Sequence, residues 1–360
     1  MFAKEMYGDY INSAYTINFK EKMLEDDYLD GKAIVKEITA DVTTINGSGS
    51  FTILYVYPND KKNIPVFAGL NFGGNHTIDT LSKITMHNAW IENSKSRKIT
   101  ENISTDESRG VSSSRWPLAT IIKHGYGVAT VYYGEFDPDF DDGFQNGFHP
   151  LFAPEDQKRT KHSPGSISMW AKGMSLIADY LMSDSIADPT RIIAIGHSRL
   201  GKTALWCGAN DERFSAVISN NSGCGGAALS RREFGETVER INTVFPHWFC
   251  EQFKKYNRKV SRLPVDQHML LALMAPRPVY VASASKDQWA DPNGEFLSLK
   301  SALPVYELTS GYKTSFPDEL PPPNKPIHEK TGYHLRTGKH DLTEYDWIMY
   351  INWANKWLVE

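Results

Sequence analysis

Three residues of this 360-residue chain carry side chains suited to acyl transfer: Ser198, Asp287 and His340. An alcohol is a poor nucleophile at neutral pH, so a reactive serine needs a base within hydrogen-bond reach. An imidazole such as His340 can take that proton and later return it to a leaving group. A carboxylate such as Asp287 can fix the imidazole tautomer and stabilise the imidazolium that forms. A serine in a glycine-rich turn can equally be a helix cap, and the chain holds 11 histidines, so no one of the three is diagnostic alone. Their combination, each placed after an expected strand, points to a serine hydrolase.

The turn itself departs from the usual pattern. In "RIIAIGHSRLGKTAL", residues 191–205, the second glycine of G-x-S-x-G arrives one residue late, with Leu200 in its place and Gly201 following. Arg199 directly follows the serine, and its guanidinium is suited to act as a charged donor to an oxyanion, beside the backbone N–H groups of a helix amino terminus. Lys202 stands one helical turn beyond Ser198 and can project on the same side, which suits a polar or anionic substrate. Serine, acid, histidine is the chain order of α/β-hydrolases and differs from the trypsin-like and subtilisin-like orders.

These residues need a scaffold, and the hydrophobic patterning supplies one. "KAIVKEITADVTT" and "FTILYVYP" alternate as half-buried strands do, while "IPVFAGLNF" and "GYGVATVYYGEFDPD" begin as continuous apolar runs suited to strands covered on both faces. Strands and helices then alternate. "SISMWAKGMSLIADYLMS" reads as a helix, "TRIIAIGHS" as a strand, "RLGKTALWCGAN" as a helix, and "FSAVISNNSGCGG" as a strand with a glycine-rich exit. "DQHMLLALMAP", "NGEFLSLKSAL" and "LTEYDWIMYINWANKWL" read as helices, with "RPVYVASASKDQW" a buried strand between the first two. The segment around 301–330 reads as a proline-rich surface loop. Such alternation predicts a mostly parallel sheet with helices on both faces, reactive groups collecting at the carboxyl ends of the strands. A single catalytic domain over 1–360 is expected, residues 1–50 forming amino-terminal strands and an extension.

Composition narrows the partners. A net charge of −4 without a long basic run suggests no nucleic-acid partner. No stretch of about 18 apolar residues is present, so no membrane partner is expected. Cys207, Cys224 and Cys250 show no zinc-site spacing, and each reads as an inert buried thiol; no metal and no cofactor are expected.

"GHSRLGK" resembles the G-[CH]-S-R-x-G-K signature of glucuronoyl esterases, the fifteenth carbohydrate esterase family, in its bacterial form. "GLNFGGNHT", "SRGVSSSRWPL", "HGYGVATVYYGEFDPD", "NNSGCGGAALSRREFGETVERIN", "FPHWF" and "DQWADPNGE" are similar to that family's blocks, and the likeness runs from about residue 50 to 358. The resemblance implies an α/β-hydrolase fold with a three-layer αβα sandwich, no metal, and an open cleft. It implies cleavage of the ester between (4-O-methyl-)glucuronic acid on glucuronoxylan and a lignin alcohol, through a glucuronoyl-serine intermediate. It assigns Ser198 as nucleophile, Arg199 as oxyanion donor, His340 as base and Lys202 as a contact to sugar hydroxyls. Glu236 and Trp289 match positions lining the glucuronate pocket; without the resemblance they read as a surface glutamate and a packed indole.

One position departs from the family. Many members carry the triad acid as a glutamate in the block where this chain has Asn221, so the acid role falls on Asp287, with Asp291 as the alternative. Two other functions stay open on the sequence: a broader carboxylesterase or acetyl xylan esterase, and a non-catalytic carbohydrate-binding protein on a hydrolase scaffold. A monomer is expected. A polymeric plant substrate implies a secreted or periplasmic protein, although "MFAKEMYGDYINSAYTI" lacks the apolar core of a signal peptide.

Overall fold

The computed structural model describes residues 1–154, 158–311 and 313–359. Among the described residues, nine strands hydrogen-bond in the order β1-β2-β3-β5-β4-β6-β7-β8-β9. They are β1 (Thr16–Asp27), β2 (Ala33–Thr44), β3 (Gly47–Pro58), β4 (Ile64–Asn71), β5 (Gly127–Tyr132), β6 (Ala187–His197), β7 (Phe214–Asn220), β8 (Val279–Ala284) and β9 (Thr331–Arg336). Seven helices matter here: α1 (Leu118–Lys123), α2 (Ser166–Ser183), α3 (Arg199–Asn210), α4 (Val238–Val244), α5 (Gln267–Ala272), α6 (Pro292–Ser310) and α7 (Glu344–Ala354).

The chain forms two compact units. One comprises Ile11–Arg159 and Lys172–Ile192, the other Met1–Tyr10, Thr160–Ala171 and Ile193–Glu360; β6 and α2 each contribute to both. In the first unit β1, β2 and β3 form an antiparallel meander, β3 pairs antiparallel with β5, and β5 pairs parallel with β4. β1 lies at the sheet edge, is largely exposed and carries six charged residues. Charges on an exposed edge discourage pairing with other chains. All eight residues of β4 and all six of β5 are buried. A strand buried at every position is covered on both faces, so its apolar run is continuous rather than alternating.

The second unit is parallel throughout its β7, β8 and β9 pairings. β8 and β9 are buried at every position, with α6 packed on both and α7 on β9. This is the α/β-hydrolase arrangement: a mostly parallel sheet with its helices in the crossovers. The helices read at 166–183 and 199–210 occupy those residues. One expectation changes. The segment around 301–330 is not loop from its start, because α6 continues to Ser310 with Pro304 inside it. β9, the strand that precedes His340, is built from "TGYHLR", whose glycine, histidine and arginine are atypical of a buried strand; His334 and Arg336 are buried there because they are paired, as described below.

Candidate active site

Ser198 occupies the turn between β6 and α3 at φ 58°, ψ −129°, a conformation that costs a non-glycine residue energy and is held by its surroundings. Its N–H donates to the Asn220 carbonyl at 2.8 Å, tying the turn to β7, while its own carbonyl accepts from Gly201 at 2.8 Å and begins α3. The late glycine is a steric requirement of this turn. A Cβ on Gly196 would strike the Leu200 backbone, and one on Gly201 would lie 3.0 Å from Ser222 Cβ and 3.1 Å from the Gly196 carbonyl. Leu200 turns inward, 1% exposed, so the residue usually glycine here belongs to the core.

The other two members of the expected triad meet. His340 Nδ1 lies 2.6 Å from Asp287 Oδ2; the Asp287 side chain is 5% exposed and that of His340 41%. Asp287 ends the loop leaving β8, and His340 lies in the loop leaving β9. The two loops are laced together: Ser285 N–H donates to the Arg336 carbonyl at 2.8 Å, and Lys286 N–H to the Gly338 carbonyl at 2.8 Å. The His340 ring also lies 4.6 Å from that of His197, beside Ser198. A buried carboxylate against one imidazole nitrogen, with the ring accessible, is the arrangement a general base requires.

Asp291, the alternative acid, is engaged elsewhere. Its Oδ1 caps α6 by accepting from Gly294 N–H at 2.9 Å, and its Oδ2 pairs with Arg232 Nε at 2.8 Å. Asn221 stands in the left-handed region at φ 46°, and its Nδ2 donates to the Asn220 side chain at 3.1 Å and to the Asp341 carbonyl at 3.0 Å.

On the other side of Ser198 the expected substrate contacts converge. Lys202 is 4% exposed, so it is no solvated helix lysine. A buried ammonium requires partners. Lys202 Nζ donates to the Ser222 carbonyl at 2.5 Å and faces Glu236 Oε2 at 3.5 Å. The Glu236 side chain is only 8% exposed, and its N–H donates to the Trp289 carbonyl at 2.9 Å. The Trp289 indole is 52% exposed and is therefore no packing residue. The Arg199 guanidinium stands 4.7 Å from the Trp248 ring and 5.5 Å from Phe245, two rings stacked at 3.8 Å. Stacking on aromatic faces fixes a guanidinium that would otherwise be mobile. Trp248 also lies 5.8 Å from Lys202 Nζ, so one indole borders both cations. Residue-type reasoning did not single out Trp248 or Phe245; the aromatic block "FPHWF" was the signal available.

Beneath these residues lies Glu295 of α6, fully buried. Its Oε1 accepts from the N–H groups of Ser222 at 2.8 Å and Gly223 at 2.9 Å, and the Ser283 hydroxyl approaches Oε2 at 2.5 Å. Burial pushes this carboxyl up to about 8, helped by the charge of Asp287 and opposed by the hydrogen bonds it accepts. Glu295 thereby holds the turn whose Ser222 carbonyl receives Lys202.

The three cysteines are buried and none forms a disulfide among the described residues, in which no group of three or more histidine, cysteine or acidic residues suited to a metal occurs either. Burial raises the Cys224 and Cys250 thiols, the latter to about 11, which keeps them unreactive.

Fold and site together define a carboxylic ester hydrolase of the α/β-hydrolase class. The family model "Glucuronyl esterase, fungi" matches residues 118–310, more than half of the chain. The chain belongs to the glucuronoyl esterase family. It is similar to a promiscuous CE15 esterase from the marine bacterial metagenome, at 45% identity and a TM-score of 0.92, covering 99% of this chain and 89% of that one. A glucuronoyl esterase from Solibacter usitatus is 41% identical with a TM-score of 0.88, covering 99% of this chain and 90% of that one. A 4-O-methyl-glucuronoyl methylesterase of Podospora anserina is 32% identical over 173 residues, which are 45% of this chain and 36% of that protein.

Proposed function

We propose that this protein hydrolyses esters of (4-O-methyl-)glucuronic acid by a serine mechanism, acting on the link between glucuronoxylan and lignin alcohols. The observation that carries the substrate class is the buried Lys202–Glu236 pair one helical turn from Ser198. A cation and a carboxylate side by side offer a donor and an acceptor to adjacent ring hydroxyls, and so place a sugar rather than a simple acyl chain. The glucuronoyl methylesterase activity named for the fungal relative fits that chemistry.

In this reading His340 takes the Ser198 proton as Oγ attacks the uronic carbonyl carbon. Arg199 and the amino terminus of α3 stabilise the oxyanion, and Asp287 stabilises the imidazolium. Collapse breaks the bond to the alcohol oxygen, which leaves with the proton from His340. Water, deprotonated by His340, then attacks the glucuronoyl-serine and frees the acid and Ser198. Lys202 and Glu236 hold the sugar through both steps, so binding energy remote from the carbonyl positions it. The exposed Trp289 offers only a loose aromatic contact, so the alcohol is weakly selected. A polymeric plant substrate places the working enzyme outside the cytoplasm.

The test is kcat/KM on benzyl glucuronate beside 4-nitrophenyl acetate, for the wild type and Ser198→Ala. The glucuronate is expected to be preferred by roughly tenfold or more, because only it uses the remote contacts, and Ser198→Ala abolishes both activities. Preference for acetate would replace this reading with a general esterase. Cleavage of neither would leave a binding protein.

A further inference from the structure

The loop carrying His340 is short and its side chain half exposed, yet its backbone is held by a group that no triad description includes. Arg336, the last residue of β9, is 7% exposed. Its Nη2 donates to the carbonyls of Lys339 at 2.9 Å and Asp341 at 3.0 Å, the residues either side of His340, and its Nη1 to Thr337 at 3.3 Å. The remaining edge of the guanidinium is fixed by Asp346, whose two oxygens lie 3.1 and 3.0 Å from Nε. Asp346 is anchored in turn: it accepts from Thr343 N–H at 2.7 Å and the Thr343 hydroxyl at 2.8 Å, capping α7, and lies 2.8 Å from His334 Nε2.

Asn221 acts on the same carbonyl from the β7 side, with its Nδ2 3.0 Å from Asp341 O. Only the donor end of this amide is engaged among the described residues, where the buried Oδ1 meets no hydrogen-bond donor. The site therefore requires a donor at residue 221. A carboxylate there would face the Asp341 carbonyl and Asn220 Oδ1 with no proton to offer either.

We propose that Arg336 and Asn221 are positioning residues that clamp the backbone on both sides of His340 and set its imidazole between Asp287 and Ser198. Neither touches substrate. Both act through the loop, so their removal lowers the fraction of molecules with the base in place without changing how the sugar is held. This assignment rests on His340 being the base, and His340→Gln tests that premise separately: full activity in that variant would remove the premise itself.

The experiment uses Arg336→Lys, which retains a cation for Asp346 but cannot span three carbonyls, and Asn221→Ala, which removes one uncharged donor. Steady-state rates on benzyl glucuronate and 4-nitrophenyl acetate are combined with proton NMR of the His340 Nδ1–H shared with Asp287. Misplacing a catalytic group by a fraction of its working geometry costs on the order of ten- to a hundredfold, so Arg336→Lys is expected to lose about tenfold in kcat on both esters. Asn221→Ala is expected to lose roughly threefold, as one of several restraints is removed. KM stays at the wild-type value in both, and the Nδ1–H resonance broadens at temperatures where the wild type keeps it sharp. A scaffold role alone would lower the melting temperature and leave kcat and the resonance of the folded protein unchanged. That result in Arg336→Lys, or in Asn221→Ala alone if the arginine variant does not fold, overturns the proposal.

Discussion

Two histidine–aspartate pairs stand on neighbouring stretches of the same unit. His340 and Asp287 meet at 2.6 Å, and His334 and Asp346 at 2.8 Å, so the contact itself hardly distinguishes them. Their surroundings do. The His334 side chain is fully buried, with Tyr280 OH 3.1 Å from its second nitrogen, and Asp346 also carries Arg336 and the cap of α7. Every polar edge of that pair is occupied by protein. The His340 side chain is 41% exposed, and its ring lies 4.6 Å from that of His197, the residue before Ser198. What separates a structural pair from one available for chemistry is a free edge on the imidazole, not the strength of its bond to the carboxylate.

The Asp346 carboxyl shows the consequence. Burial alone would raise it, but the hydrogen bond and charge of His334 and the charge of Arg336 outweigh burial and hold it below the usual range. It stays ionised and serves as a fixed anchor. Glu295, also buried but served only by neutral donors and next to Asp287, moves the other way, up to about 8.

The sharpest way to break the comparison is to exchange the effects of the two histidines. His340→Gln should lower kcat on benzyl glucuronate by roughly 10⁴-fold, the loss expected when a general base is removed, with the melting temperature unchanged. Next in size, Lys202→Met should raise KM for benzyl glucuronate by about tenfold to a hundredfold and leave 4-nitrophenyl acetate hydrolysis near the wild-type rate, as lost ground-state contacts to the sugar require. His334→Gln should act mainly on stability: denaturant titration should show a loss of about 1–3 kcal/mol for a disrupted buried hydrogen-bond network, while kcat falls by no more than the roughly tenfold expected of Arg336→Lys, a residue the same network holds. Equal effects of the two histidine variants on kcat would erase the distinction drawn here.

The smallest effect concerns Glu295. Its carboxyl binds a proton more tightly in the folded state than in the unfolded chain, where a glutamate has its ordinary value of 4.5. Its contribution is therefore complete below that value and is lost as pH rises toward and through about 8. Glu295→Gln cannot titrate and keeps an acceptor for the Ser222 and Gly223 amides. Melting temperatures across this window should show the variant gaining on the wild type as pH rises. A constant difference would mean that Glu295 is ionised throughout.

Much of this was legible in the chain. The helices at 166–183 and 199–210 have apolar periodicity that nothing in the fold opposes, and the buried strands β4, β5 and β8 are apolar runs of the right length. The late glycine pointed to a specialised turn, and its reason is the close approach of residues 196 and 201 to their neighbours. What stayed hidden depends on pairing at a distance. β9 reads as polar until His334 and Arg336 meet Asp346. β1 reads as charged surface because it is an edge strand. The roles of Trp248 and Glu295 follow from which side chains they face, and no spacing along the chain encodes that. Asp287 and Asp291 look equivalent in "DQWADPNGE"; only the cap of α6 and Arg232 show that one of them is already engaged.

The most direct test of the account is kcat of Asp287→Asn on benzyl glucuronate, measured on protein whose melting curve matches the wild type. Asparagine keeps the shape but cannot stabilise the imidazolium, so the account predicts a loss of roughly 10³-fold or more. A wild-type rate in that variant would contradict it and move the acid away from Asp287, the carboxylate that meets His340 among the described residues.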